Sequence, residues 1–264
     1  MSVSVIIPNF NNEKYIKRCI ESVLSQSFLP DEVIIVDDCS TDSSKEIINE
    51  LAECSPLIKP FFLDENRGVS HARNYGIKQS NSNFITFLDA DDFYYNDKKL
   101  ENEYLLLEKH SFNAAVYSKL VFCNESGEII KKLDYPEKDY FQGDIFFPLL
   151  AERITRTLMR DFVFPKSVID DNTLFDEDNC LFEDYDFLIK LSKKIEFFCT
   201  FQYGTAYRQK ESGLSHRTDE ELRNSKNSII RKYTDLLNND QMKMLKKEKN
   251  KKLLDRIGFK LRGE

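Results

Sequence analysis

Three carboxylates fall within four positions, at Asp89, Asp91 and Asp92, directly after the apolar run Phe84-Ile85-Thr86-Phe87-Leu88. The run is of strand length and rich in aromatic and β-branched residues, so a buried strand is aimed at a charged rim. Carboxylates this close repel one another unless a cation, or a ligand carrying one, sits among them. Asp89 and Asp91 are two apart, and on an extended backbone both side chains leave the same face. Hard oxygens of this kind suit Mg²⁺ or Mn²⁺, which usually complete their shells with water and substrate phosphates. The plainer alternative is a solvated acidic loop at a strand end. A second acidic group, Glu183-Asp184-Tyr185-Asp186, follows Phe182. Acids there suit the first turn of a helix, and a carboxylate within reach of an attacking hydroxyl could also take its proton.

Regular elements must bring these groups together. Val3 to Ile7 reads as a strand, and Glu13 to Gln26 as a helix with Tyr15, Ile16, Cys19, Ile20, Val23 and Leu24 on one stripe. Glu32 to Val36 is a second strand, ending in Asp37-Asp38-Cys39-Ser40-Thr41-Asp42, whose Ser and Thr can cap a helix carrying Ile47, Ile48 and Leu51. Ile58 to Leu63 is a third strand, Val69 to Gln79 a short helix, and Phe84 to Leu88 the fourth strand. Strands alternating with helices imply an α/β fold with a mainly parallel central sheet and helices on both faces. Ligands bind such sheets at the carboxyl ends of the strands, where Pro8-Asn9, Asp37-Asp38 and Asp89 to Asp92 all fall. There Asp38 could accept a hydrogen bond from a base edge or a ribose hydroxyl. Gly68 allows a tight entry to the helix, and Arg73 is a forked cation that could meet a base or a diphosphate. A Gly at a helix start and an Arg on a helix are also ordinary structure.

The composition sets the limits. At 264 residues and 41% hydrophobic content, the chain can form one large domain with a proper core. Six cysteines, at 19, 39, 54, 123, 180 and 199, show neither metal-binding spacing nor a compact framework, and read as reduced thiols of a cytosolic protein. The N-terminus reads as a first strand rather than a signal peptide, and no run of about 18 apolar residues is present to span a membrane. The last 24 residues hold nine Lys and Arg against three Asp and Glu, so with a total charge of −7 the first 240 carry −13. An acidic body argues against nucleic acid as a partner, because phosphate backbones need a basic face.

Four segments together carry a resemblance: Ser4-Val5-Ile6-Ile7-Pro8-Asn9-Phe10-Asn11, Val36 to Asp42, Asn66 to Ile77, and Phe87-Leu88-Asp89-Ala90-Asp91-Asp92. In this order over about 90 residues they resemble the successive signatures of family 2 glycosyltransferases, which have the GT-A nucleotide-diphospho-sugar transferase fold. The resemblance implies that Pro8, Asn9, Phe10, Asp37 and Asp38 hold the nucleoside, usually uridine. It further implies that Gly68, Arg73, Asp89 and Ala90 line the nucleotide sugar, and that Asp89 and Asp91 bind the Mn²⁺ or Mg²⁺ that rides on its diphosphate. Glu183-Asp184 looks like the family's acidic pair before a helix, in which the Asp is the base. Asp184 is therefore expected to be the catalytic base, with Glu183 and Asp186 orienting the acceptor or supporting it. The family often ends its site with Tyr-Arg-x-His; here the segment is Tyr207-Arg208-Gln209-Lys210, with Lys in place of His and the next His at 216. A Lys is no neutral imidazole ligand, although its ammonium could neutralise a diphosphate directly.

Downstream, Asp97 to His110 reads as an amphipathic helix, and Ala114 to Asn124 with Glu128 to Leu133 as a hairpin around Ser126-Gly127. Residues 134–180 are expected to supply acceptor-side elements, although aromatics such as Phe146, Phe147, Phe162 and Phe164 more often fill a core. Beyond Glu220, Ile229, Ile230, Tyr233, Leu236 and Leu237 share one helical face, and Leu253, Leu254, Ile257 and Leu261 lie among lysines. A basic amphipathic helix suits an anionic membrane surface, at the inner face of which a lipid-linked acceptor would be met; a solvated helix packed on the body is the alternative. The domain reading is thus a GT-A catalytic domain over 1–217, with a nucleotide-sugar half (1–92) and an acceptor half (93–217), and a helical basic extension over 218–264. The expected reaction is sugar transfer from a nucleoside-diphosphate sugar, UDP-linked by family habit, to a glycan or lipid-linked acceptor hydroxyl with inversion, in bacterial surface polysaccharide or lipopolysaccharide synthesis. A nucleotidyltransferase would call for a Gly- and basic-rich loop after the first strand, which Pro8 to Asn12 is not; a non-catalytic glycan- or nucleotide-binding module would not need Asp184.

Overall fold

The computed structural model describes residues 2–153, 161–179, 181–210 and 218–248. Cys180, His216 and the basic stretch with Leu253, Leu254, Ile257 and Leu261 lie outside the described residues.

The first half alternates strands and helices: β1 (Val3–Asn9), α1 (Ile16–Leu24), β2 (Glu32–Asp37), α2 (Ser44–Cys54), β3 (Ile58–Phe62), α3 (Val69–Gln79) and β4 (Phe84–Phe87). The first four strands pair in parallel in the order β3-β2-β1-β4, and β8 (Phe164–Pro165) closes the edge antiparallel to β4. Every residue of β1 and β2 is buried. Their alternate residues feed two cores, as a sheet covered on both faces requires. Val5, Ile7, Val33 and Ile35 pack with Ile16, Ile20 and Ile48 of α1 and α2, whereas Ile6, Ile34, Val36, Ile85 and Phe87 pack with Ala72 and Ile77 of α3. The strand order reverses direction at β1, so the carboxyl ends of β1 and β4 flank a crevice.

A second sheet in the order β5-β9-β6-β7 follows, built from β5 (Phe93–Tyr94), β6 (Ala114–Cys123), β7 (Ile129–Lys132) and β9 (Glu196–Arg208), with α4 (Lys99–Lys109) packed on it. β6 and β7 form the expected antiparallel hairpin. β9, thirteen residues long and parallel to β6, was not foreseen from the sequence. A register shift opposite Ser118, with Phe201 in the left-handed region at φ 58°, breaks the period of two that would have marked it.

The second face of the main sheet is sealed by aromatics. Phe164, Phe175 and Phe187 surround Phe87, Phe162 packs on Phe164 and Phe187, and the Phe175 and Phe187 rings are stacked 4.0 Å apart. Phe162 and Phe164 are therefore core. α6 (Glu183–Ser192) carries Phe187, Ile189 and Leu191 into this core, and α7 (Asp219–Lys232) adds Ile229 and Ile230. Tyr233 follows α7 and donates its hydroxyl to Asp186 at 2.7 Å. Leu236, expected on the same buried face, is instead 53% exposed. The chain is helical again over 239–248, and none of the described helices is long and apolar enough to cross a membrane.

Candidate functional site

β4 ends at Phe87, and the chain turns at once, the Asp92 N–H donating to the Asp89 carbonyl at 2.9 Å. A turn, rather than the extended backbone expected, brings Asp89, Asp91 and Asp92 together, with one oxygen of each within 4.8 Å of the others. Ala90, at the turn's centre, packs its methyl into the core. Below the turn the Cys19 thiol contacts the Asp89 carbonyl at 3.5 Å. Burial, reinforced by the three aspartates, pushes that thiol well above its ordinary range, so it stays protonated.

Each acid of the turn has a protein partner. Arg73, on α3 and fully buried, gives one guanidinium nitrogen to Asp89 Oδ1 at 2.8 Å and another to Glu183 Oε1 at 3.0 Å. Its Cζ also stands 5.2 Å from the Phe175 ring centre. The sequence suggested an arginine reaching a base or diphosphate; burial makes it instead a clamp between β4 and α6. Asp92 accepts the Arg208 backbone N–H at 2.8 Å, while the Arg208 side chain binds the carbonyls of Asp91, Asn124 and Glu125. Lys210, two residues on, places its ammonium 2.7 Å from Asp91 Oδ2. Arg208 ends β9, and Lys210 lies two residues beyond it. The Tyr207-Arg208-Gln209-Lys210 segment marked them as closing the site, whereas the strand that carries them there was not legible.

The second acidic strand end is beside the first. Asp38 accepts the N–H groups of Arg67 at 2.9 Å and Gly68 at 2.7 Å, so it fixes the loop entering α3. Gly68 has φ 90°, a conformation side chains resist. Asp37 is wholly buried, accepting from Asn9 Nδ2, Ser40 N and Ser40 Oγ. Ser40 thus binds Asp37 and does not cap α2, whose N-cap is Ser43 without a side-chain bond. Pro8 and Asn9 are buried in β1, whereas Phe10 is 44% exposed at the rim. The loop after Phe10 ties the two strand ends together: Asn11 binds Ser40 and Thr41, and Asn12 Oδ1 lies 3.4 Å from Lys210 Nζ.

Phe182, in the left-handed region at φ 59°, turns the chain sharply into α6. Glu183 is thereby held on Arg73, and Asp184, the next residue in the chain, is partly exposed and accepts the Tyr185 N–H at 2.7 Å. Asp186 does not join them. It is fully buried, paired with Tyr233 and with Lys190 at 2.8 Å, and so anchors the end of α7 rather than orienting an acceptor.

The donor set at the turn is all carboxylate oxygen, which fits Mg²⁺ or Mn²⁺, and Asp89 and Asp91 would hold the ion. A hollow of about 900 Å³ between Asn83, Phe84, Tyr104 and Lys166 lies at the amino end of β4, away from these groups.

The profile of glycosyl transferase family 2 matches residues 4–173. An uncharacterized glycosyltransferase of Haemophilus influenzae is 34% identical over 200 residues, 74% of this chain and 73% of that protein. The poly(ribitol-phosphate) beta-N-acetylglucosaminyltransferase TarS of Staphylococcus aureus is 30% identical over 175 residues, 64% of this chain but 30% of TarS. The crystal structure of TarS 1-349 in complex with UDP-GlcNAc superposes with a TM-score of 0.67 at 23% identity, covering 87% of this chain and 65% of that one. The chain thus corresponds to part of the length of TarS. On its own sequence and on its sheet order, the chain belongs to glycosyl transferase family 2 and has the GT-A fold.

Proposed function

We propose that the protein transfers a sugar from a UDP-sugar to an acceptor hydroxyl with inversion at the anomeric carbon, in the assembly of a bacterial surface glycan. The observation that carries this reading is the Arg73 bridge: through one guanidinium it joins Glu183 to Asp89, so the acidic turn and the start of α6 share one crevice. UDP as carrier and a cell-surface polymer as product draw support from TarS, whose name gives a poly(ribitol-phosphate) acceptor and whose crystal forms include complexes with UDP and UDP-GlcNAc.

In this reading the nucleoside lies against Asn9, Phe10 and Asp38, and the diphosphate reaches toward Asp89 and Asp91. Asp184 takes the proton of the acceptor hydroxyl as its oxygen attacks the anomeric carbon. The new glycosidic bond forms as the bond from that carbon to the diphosphate oxygen breaks, and UDP departs with the electron pair. A bound Mn²⁺ or Mg²⁺ supplies charge screening for that leaving group. Glu183 and Arg73 hold the base and the acidic turn at a fixed separation. The basic residues of 241–264 would meet an anionic membrane surface carrying a lipid-linked acceptor.

A panel of nucleotide sugars tested by thermal unfolding, with and without Mn²⁺, is expected to show stabilisation by UDP and by one or more UDP-sugars. Asp184→Asn should keep that stabilisation and lose roughly 100-fold or more in turnover. Stabilisation by no uridine nucleotide removes the donor assignment, and unchanged turnover in Asp184→Asn removes the base.

A further inference from the structure

Among the described cations on the acidic turn, Lys210 is the one that is neither buried nor shown bound to backbone. Its ammonium sits 2.7 Å from Asp91 Oδ2, 3.4 Å from Asn12 Oδ1 and 4.8 Å from the Tyr15 ring centre, while Arg73 and the Arg208 N–H serve Asp89 and Asp92. The Lys210 side chain is 26% exposed and that of Asp91 30%, and ion pairs this wet add little to stability. Arg73 is locked by burial; a lysine is a compact charge on a flexible four-carbon stem, free to change partners. The ammonium also occupies the very carboxylate assigned above to a divalent ion.

We propose that Lys210 is a tethered cation with two stations. With no donor in the crevice it neutralises Asp91 and competes with free divalent ions for that carboxylate. When a nucleoside diphosphate binds, the ammonium moves to the diphosphate and releases Asp91, so ion and nucleotide bind with positive coupling and the ion enters as a partner of the diphosphate. The coupling is reciprocal: whatever Lys210 withholds from the ion alone, UDP must restore. This rests on the donor-site reading above, specifically on Asp91 as a metal ligand.

The test is a binding experiment on the full chain that requires no turnover. Free Mn²⁺ is titrated by electron paramagnetic resonance with and without saturating UDP, and UDP is titrated calorimetrically in EDTA, for the wild type, Lys210→Met, Lys210→Arg and Asp91→Asn. Lys210→Met is expected to bind Mn²⁺ alone at least about tenfold more tightly than the wild type, and UDP in EDTA at least about tenfold more weakly; Lys210→Arg should track the wild type. If Lys210→Met lies within about twofold of the wild type on both axes while Asp91→Asn loses Mn²⁺ in the presence of UDP, the two-station role is overturned and the metal-ligand reading stands. If Asp91→Asn binds Mn²⁺ with UDP as the wild type does, Asp91 is no ligand and the proposal falls with that reading.

Discussion

Arg73 is the residue on which the site turns. A guanidinium removed from water is tolerated only with its charge satisfied, and here two carboxylates from distant parts of the chain do so. Arg73→Met should therefore cost about 3–5 kcal/mol in urea unfolding, because it leaves Asp89 and Glu183 facing each other without a cation. Arg73→Lys, with a single-point charge, can serve one acid but not both, and is expected to fold while losing turnover. Asp91→Asn belongs at the same scale: the residue is partly exposed, so stability should hold while turnover falls sharply, and full activity in an assay with the sugar donor that the wild type prefers would end its assignment. Little of the pairing was legible beforehand. The residue types and their order named the acids; which cation would meet which acid depended on Glu183 lying 110 positions from Arg73.

At the scale of elements, α3 must lie close on the sheet for Arg73 to reach beneath the acidic turn. Gly76 allows it: a Cβ there would fall 2.4 Å from Cγ2 of Ile6 on β1. Gly76→Ala, although favourable to an isolated helix, is expected to cost about 1–3 kcal/mol by thermal unfolding and to lower activity by lifting the helix. The α3 boundaries were readable from the sequence, Val69 to Gln79 in both cases, because Gly68 opens the helix and the apolar pattern holds through it. β9 was not readable. Its bulge interrupts alternation, and the partner that makes it a strand, β6, is far away in sequence. Arg208 at its end and Lys210 just beyond it were marked as closing the site by the motif, without the strand that brings them there.

Across the whole molecule, a buried charge network joins the second sheet to the site's underside. Lys99 and Glu103 of α4 pair at 2.8 Å with no solvent exposure, Ser118 donates to Glu103, and Thr205 donates to Asp161. Burial pushes the Glu103 carboxyl from its ordinary 4.5 up to about 7, despite the neighbouring ammonium. Between these values the folded chain holds a proton that the unfolded chain has lost. Its contribution to stability is therefore complete below about pH 4.5, declines as pH rises toward about 7, and is absent above. Glu103→Gln should lie flatter than the wild type across that window when unfolding free energy is followed against pH. The docking of α7 is a second property of the whole: Tyr233→Phe removes the donor to buried Asp186 and should cost about 1–3 kcal/mol without touching the crevice.

The sequence by itself determined the α/β class, the mainly parallel pairing of the first strands, the acids at their carboxyl ends and the family, because these follow from local periodicity and from motifs contiguous in the chain. For Phe162 and Phe164 it left a place in the core as the commoner alternative to an acceptor-side one. Only the tertiary structure decided that Asp91 faces an ammonium, that Arg73 is a buried clamp, that Asp186 is an anchor for α7 and that the acids meet through a turn. Those facts rest on partners separated by tens to hundreds of residues, and an electrostatic contact is a property of distance in space, which spacing along the chain does not encode.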